Sequence, residues 1–235
     1  QEKKEVVNVM SVRDTQNPTA RYASPVCYAA DVENGGDEQQ QRDLTQWRKA
    51  ERQRQREIRR ALTPEQRQTY AQAIAECLDV LLAKKYVDLR GKVLGGYWPI
   101  QGEFDLVFWF HALHERGVRI ALPVTDKPDA PLIFRAWTPN TVMKKDCWHI
   151  PIPPAESAQL TPDILLAPCV AWDTAGFRLG YGGGYFDRTL AALSPKPFVI
   201  GVALQAAQLP TIFPQAYDVA MDAIVTEAGA HPLSR

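Results

Sequence analysis

The segment Asp173-Thr174-Ala175-Gly176-Phe177-Arg178-Leu179-Gly180-Tyr181-Gly182-Gly183-Gly184-Tyr185-Phe186-Asp187-Arg188 gathers the residue types best suited to chemistry. Successive glycines let backbone N–H groups turn toward an anion without interference from Cβ atoms. A helix beginning just after them adds about half a positive charge at the same place. Arg178 supplies a two-toothed, charge-assisted hydrogen bond suited to phosphate. Asp187 would repel a bare phosphate but fits if a divalent cation lies between them, because Mg²⁺ prefers carboxylate and phosphate oxygens. The contiguous glycines match neither a Gly-Lys-Ser/Thr phosphate loop nor a dinucleotide fingerprint. Taken alone, three glycines would equally make a tight turn. Arg178 before them and Asp187 after them favour an anion site.

Such a loop needs a strand before it and a helix after it. Residues 164–167 read as a short apolar strand of the kind covered on both faces, and residues 185–193 as a helix. Further strands are expected at 92–98, 118–124, 132–137, 198–204 and 223–226. A helix is expected at 105–116, closed by Gly117, and residues 138–162 read as a long loop. Upstream, the pattern turns helical near Leu44, with Leu44, Trp47, Ile58, Ala61 and Leu62 on one stripe and Arg48, Arg52, Arg56 and Arg60 in a row beside it. Thr63-Pro64-Glu65-Gln66 starts a second helix with an N-cap, a proline at the first position and a capping box. Its buried face is Ile74, Cys77, Leu78, Leu81 and Leu82. Strands alternating with helices imply an α/β three-layer sandwich with a mostly parallel central sheet, Rossmann-like, the basic N-terminal helix packed alongside. Residues 1–41 read as a flexible N-terminal extension without its own core, and 42–235 as a single α/β domain.

Of 235 residues, 46% are hydrophobic, too many for a disordered chain. Lys plus Arg equals Asp plus Glu at 27 each, so no whole-molecule field draws the chain to nucleic acid or an anionic membrane. No apolar run approaches the ~20 residues of a membrane span. The first thirteen residues show no secretory signal, and four cysteines without a Cys-x-x-Cys pair suit a reduced, cytoplasmic chain.

The run Arg178-Leu179-Gly180-Tyr181-Gly182-Gly183-Gly184-Tyr185-Phe186-Asp187-Arg188 resembles the signature of the 5-formyltetrahydrofolate cyclo-ligase (5,10-methenyltetrahydrofolate synthetase) family. Three other segments match it in order: the basic helix at 48–60 with its Leu-Thr-Pro turn, Tyr97-Trp98-Pro99 with Glu103, and Tyr217-Asp218 leading to Asp222-Ala223-Ile224-Val225-Thr226-Glu227. The resemblance spans residues 44–228. It implies an ATP- and Mg²⁺-dependent conversion of 5-formyltetrahydrofolate to 5,10-methenyltetrahydrofolate with release of ADP and phosphate. The formyl oxygen takes up the γ-phosphoryl group and N10 then attacks the activated carbon. Small molecules are the implied partners of a monomer that binds neither nucleic acid nor membrane.

By the same resemblance, Arg48, Lys49 and Arg52 are ATP contacts, together with Arg178, Leu179, Gly180, Tyr181, Gly182, Gly183, Gly184, Tyr185 and Phe186. Arg178 and Asp187 carry the catalytic role, and Asp187 and Asp218 hold Mg²⁺. Trp98, Glu103 and Trp148 contact the folate, which Tyr181, Gly182, Gly183, Gly184 and Tyr185 also border. Glu103 would accept hydrogen bonds from pterin N–H donors and Trp98 would cover the flat ring. Each residue has a plainer reading: a solvated basic face for the arginine row, a core aromatic for Trp98, a helix-entry acid for Glu103, a loop anchor for Trp148. Arg54, Arg56, Arg59 and Arg60 read as surface. Two departures stand out: Tyr217 where many members have His, and Phe186 where Tyr is commoner. Two other functions fit parts of the pattern. One is a phosphate-binding isomerase or transferase on a related fold; the other is a nucleic-acid-binding module using helix 42–60.

Overall fold

The computed structural model describes residues 38–233. The expected extension therefore lies outside the described residues except for Glu38, Gln39, Gln40 and Gln41, which are helical. Helix α1 runs Glu38–Arg60, starting well before Leu44. The chain divides into two compact units between Trp47 and Arg48, inside this helix. In the first unit, i,i+4 links from Gln39 to Asp43 (2.8 Å) and from Arg42 to Glu38 (3.3 Å) extend helical order ahead of the apolar stripe.

In the second unit, α2 (Pro64–Lys85) has the expected capping box. Gln66 N–H donates to Thr63 Oγ1 (3.2 Å), and Thr63 N–H donates to Gln66 Oε1 (2.9 Å). The remaining elements are β1 (Val93–Gly95), α3 (Val107–Glu115), β2 (Arg119–Val124), β3 (Ile133–Trp137), β4 (Lys144–Lys145), β5 (Pro151–Ile152), β6 (Ile164–Pro168), β7 (Ala171–Asp173), β8 (Arg178–Leu179), α4 (Tyr185–Ala192), β9 (Phe198–Val202), β10 (Gln208–Leu209), β11 (Ala223–Thr226) and β12 (Gly229–Pro232).

Seven strands form the main sheet in the order β12-β11-β9-β6-β1-β2-β3. The five inner strands are mutually parallel, and β3 and β12 close the two edges antiparallel. Ile164, Leu165, Leu166, Ala167 and Leu94 are wholly buried, as central parallel strands require when both faces are covered. Each large side chain so buried contributes roughly 1.5–3 kcal/mol. The α/β layering with a mostly parallel sheet is as the sequence implies. Among the described residues no helix is long and apolar enough to cross a membrane.

Some boundaries differ. The first strand stops at Gly95 instead of Trp98, because the chain leaves the sheet to line a cavity. The strand from Phe198 ends at Val202, where the backbone prepares a short 3-10 turn at Gln205–Ala207. The 138–162 loop contains the β4–β5 ribbon, and β7, β8 and β10 make a second small sheet that carries Arg178. β12 departs from the sequence pattern, since Gly-Ala-His-Pro has almost no strand propensity. Its pairing with β11 decides it.

From β1 the chain goes out to β2 and β3, then returns to the other side of β1 as β6. The strand order thus reverses between β1 and β6. The carboxyl ends of parallel strands open a crevice at such a reversal.

Candidate active site

A cavity of about 700 Å³ lies at that crevice. Residues 97–101 after β1, Pro123 and Thr125 at the end of β2, and Pro168 at the end of β6 line it. Arg48 and Arg52 of α1, the glycine loop through residues 180–187, Trp148, Tyr217 and Asp218 complete the wall. One cavity therefore gathers residues from widely separated stretches of chain.

The glycine loop turns sharply, with Gly182 at φ +105° and Gly184 at φ +66°. Side chains rarely adopt these values, so glycine is required here. Gly184 is also the N-cap of α4 and offers no capping side chain, which leaves the first N–H groups of that helix facing the loop. Arg52 Nε donates to the Gly180 carbonyl (2.8 Å). Arg188 donates to the Gly183 carbonyl (2.5 Å), and its guanidinium lies 5.0 Å from the centre of the Tyr185 ring. Arginine charge thus backs the loop at two points. Burial and the neighbouring Arg48 lower the pKa of Arg52 from its ordinary value.

The acidic residues occupy fixed positions. Arg178 meets Asp187 in a two-toothed pair (3.0 and 3.2 Å), and Asp187 also accepts from Val219 N–H (3.1 Å). Arg48 meets Asp218 likewise (2.9 and 3.1 Å), and Asp218 accepts from Gln215 N–H (2.7 Å). Glu103 is 8% exposed. It accepts Ile100 N–H at Oε2 (3.0 Å), and burial pushes its pKa up to about 7. Trp148 is 52% exposed and packs edge-on to Tyr185, ring centres 6.0 Å apart. Its loop is pinned by Asp146, which accepts from the N–H groups of Trp148 (2.9 Å) and Ile150 (2.8 Å).

The family model for the 5-formyltetrahydrofolate cyclo-ligase family matches residues 44–227. The chain belongs to this family. Curated relatives named 5-formyltetrahydrofolate cyclo-ligase include one from Haemophilus influenzae, 30% identical over 170 residues, covering 70% of this chain and 89% of the relative. Another, from Escherichia coli, is 30% identical over 181 residues, covering 73% and 95%. A solved structure of an Aquifex aeolicus 5,10-methenyltetrahydrofolate synthetase superposes with a TM-score of 0.68 at 26% identity, covering 80% of this chain and 93% of that one. As a member of the cyclo-ligase family the chain is an enzyme of the ligase class.

Most residues singled out from the family pattern line the common cavity: Arg48, Arg52, Trp98, Glu103, Trp148, Arg178, the loop from Gly180 through Phe186, Asp187 and Asp218. Leu179, in β8, is fully buried behind it. Lys49 is not among the lining residues and is exposed. Arg59, expected at the surface, is only 5% exposed. Both differences have one cause. At 3.6 residues per turn, positions 48, 52, 55 and 59 stay within about 40° of one direction, whereas a row taken every fourth residue drifts by about 40° per step. The buried face of α1 is accordingly Arg48, Gln55 and Arg59, with Arg52 partly covered. Reading i+7 and i+11 from Arg48 would have found Arg59.

Asp187 and Asp218 are each held by an arginine and a backbone N–H. No group of three or more His, Cys, Asp or Glu is placed to hold a metal ion among the described residues. Arg178 likewise faces Asp187, with its side chain 2% exposed. The open readings of the aromatics divide between neighbours. Tyr97 is the core residue, its hydroxyl donating to the Phe104 carbonyl (2.9 Å), and Trp98 is the half-covered cavity residue. Tyr217 is 69% exposed, and the hydrogen bonds to the Asp218 carboxylate come from Arg48 and Gln215. Asp222 accepts Val199 N–H (2.7 Å) between β9 and β11, a bond that holds the sheet end together.

Proposed function

We propose that this chain closes the ring of 5-formyltetrahydrofolate to 5,10-methenyltetrahydrofolate while ATP becomes ADP and phosphate. One observation carries the reading: a single cavity joins an arginine-backed glycine loop at a helix N-terminus to a buried carboxyl and half-covered aromatic rings. The first half suits a triphosphate, the second a flat heterocycle with N–H donors. Both are needed in this reaction.

The formyl oxygen attacks the γ-phosphorus and the bond to ADP breaks. N10 then bonds to the activated carbon, loses its proton, and phosphate departs. No protein nucleophile is required. The chain's task is to hold the oxygen in line with the phosphorus and to balance spreading negative charge. Backbone N–H groups of the glycine loop and α4, with Arg52 behind them, supply that balance. Arg48 and Arg178 can join when phosphate oxygens compete with Asp218 and Asp187 for their guanidiniums.

Mg²⁺ would supply further charge neutralisation on the phosphates. The arginine-closed carboxylates do not fit a resident ion, so we assign it to the nucleotide substrate, arriving as the Mg²⁺ complex of ATP. The nucleic-acid alternative has less support, because Arg48 and Arg59 are buried inside the fold and withdrawn from a phosphate backbone. The direct test is optical appearance of the methenyl product from purified protein, 5-formyltetrahydrofolate, ATP and Mg²⁺. Folded protein that forms no product under these conditions rejects the proposal.

A further inference from the structure

Residues Ile100, Gln101, Gly102 and Glu103 form a tight turn, with Glu103 N–H donating to the Ile100 carbonyl (2.9 Å). Both central residues are left-handed, Gln101 at φ +48° and Gly102 at φ +81°. Such a turn favours Asn, Asp or Gly at its first central position, so Gln101 is held there by contacts from outside the turn.

Those contacts come from Arg59 and Tyr181. Arg59 Nη2 donates to the Gln101 carbonyl (3.3 Å) and to the Tyr181 hydroxyl. The Tyr181 hydroxyl donates to the Ile100 carbonyl (3.4 Å), and Ile100 N–H donates to Glu103 (3.0 Å). The Arg59 guanidinium also stands 5.7 Å from the centre of the Tyr181 ring. A buried guanidinium needs compensating charge or acceptors. This one takes a carbonyl and a hydroxyl, and directs its field at the Glu103 carboxyl.

We infer that Arg59 is a positioning residue: through the Tyr181 hydroxyl and the Gln101 carbonyl it fixes the 100–103 turn and keeps the Glu103 carboxyl aimed at the N–H donors of a pterin ring. The identity of that ring rests on the function proposed above. The clasp itself does not. The groups facing Glu103 are Arg59 from α1, Tyr181 from the glycine loop, and the buried Tyr97 and Cys169. Burial raises both Tyr97 and Cys169, which keeps them neutral, so Arg59 is the cation among these groups. Tyr181 belongs to the same loop that Arg52 grips at Gly180, so the clasp joins the carboxyl to the glycine loop.

The test uses Arg59→Met, Arg59→Lys and Tyr181→Phe with two readouts. The first is the Glu103 carboxyl titration, followed by carbon NMR in the ligand-free protein. The second is the pH profile of kcat/KM for 5-formyltetrahydrofolate. Arg59→Met should move the Glu103 titration and the acidic limb upward by roughly one unit. It should raise KM for the folate about tenfold, leaving KM for ATP within about twofold. Arg59→Lys should recover much of the shift and Tyr181→Phe should show a smaller one. Unmoved titrations in Arg59→Met and Tyr181→Phe overturn the inference. If Arg59→Met does not fold, Tyr181→Phe decides alone. Absence of product from the unmodified protein would refute the proposed function, while the NMR titration would still decide the role of Arg59.

Discussion

Arg48 and Asp218 lie 170 positions apart in the chain yet meet as a two-toothed ion pair, with their side chains 7% and 5% exposed. The pair ties α1 to the segment before β11 across the mouth of the glycine loop. It also presents a nucleotide with a choice of partner, since phosphate oxygens suit the Arg48 guanidinium as well as a carboxylate does.

Removing one member of this pair strands a buried charge. Arg48→Met should lower unfolding free energy by about 3 kcal/mol. The double variant Arg48→Met, Asp218→Asn should lose clearly less than the sum of the two single changes. Urea titration of the four proteins measures the coupling, and strict additivity would show that the two groups do not interact.

Asp187 tests whether the acid acts on the reaction or only on the fold. Asp187→Asn keeps one acceptor oxygen for Arg178, so its melting temperature should fall by only a few degrees. Its ATP-dependent turnover should fall by about a hundredfold or more, because a weakened pair no longer aims the Arg178 guanidinium at the phosphate oxygens. Comparable losses in both would make the residue structural.

Gly182→Ala should strain the loop without a clash, because an added Cβ would meet nothing closer than Arg52 at 3.8 Å. The cost comes from φ +105° and should reach about 1–3 kcal/mol. KM for ATP should rise, with KM for the folate little changed. Steady-state kinetics with each substrate varied in turn separates the two.

Glu103 carries a pH signature. Burial raises its folded pKa to about 7, above the unfolded carboxyl, so the folded state holds its proton more tightly. Stability from this group is therefore full below the unfolded pKa and is lost as pH rises through about 7. Glu103→Gln should melt higher than the unmodified chain at pH 8, with the gap closing toward pH 4. Folate turnover should nevertheless collapse, because an amide donates where a carboxylate accepts. A gap that stays constant with pH would contradict the raised pKa.

Much of this was legible in the sequence because the signals are local. The capping box at Thr63 and Gln66, the doubly covered strand from Ile164 and the glycine run before Tyr185 each depend on neighbouring residues and a repeat of two or 3.6. Residue type does not distinguish Lys49 from Arg48, or Arg59 from Arg60. Helical phase sorts them, and the phase is set by which face the rest of the chain covers.

By itself the sequence determined the α/β layering and admitted the left-handed turns of the glycine loop, since apolar periodicity demands burial and glycine tolerates positive φ. Only the tertiary structure decided which charges oppose one another. It closed Asp187 and Asp218 with arginines and raised the Glu103 carboxyl by burying it, a shift that Arg59 and Tyr181 oppose. Coulomb forces and desolvation depend on distances through space, and residues far apart in the chain acquire those distances only when the sheet brings its carboxyl ends together.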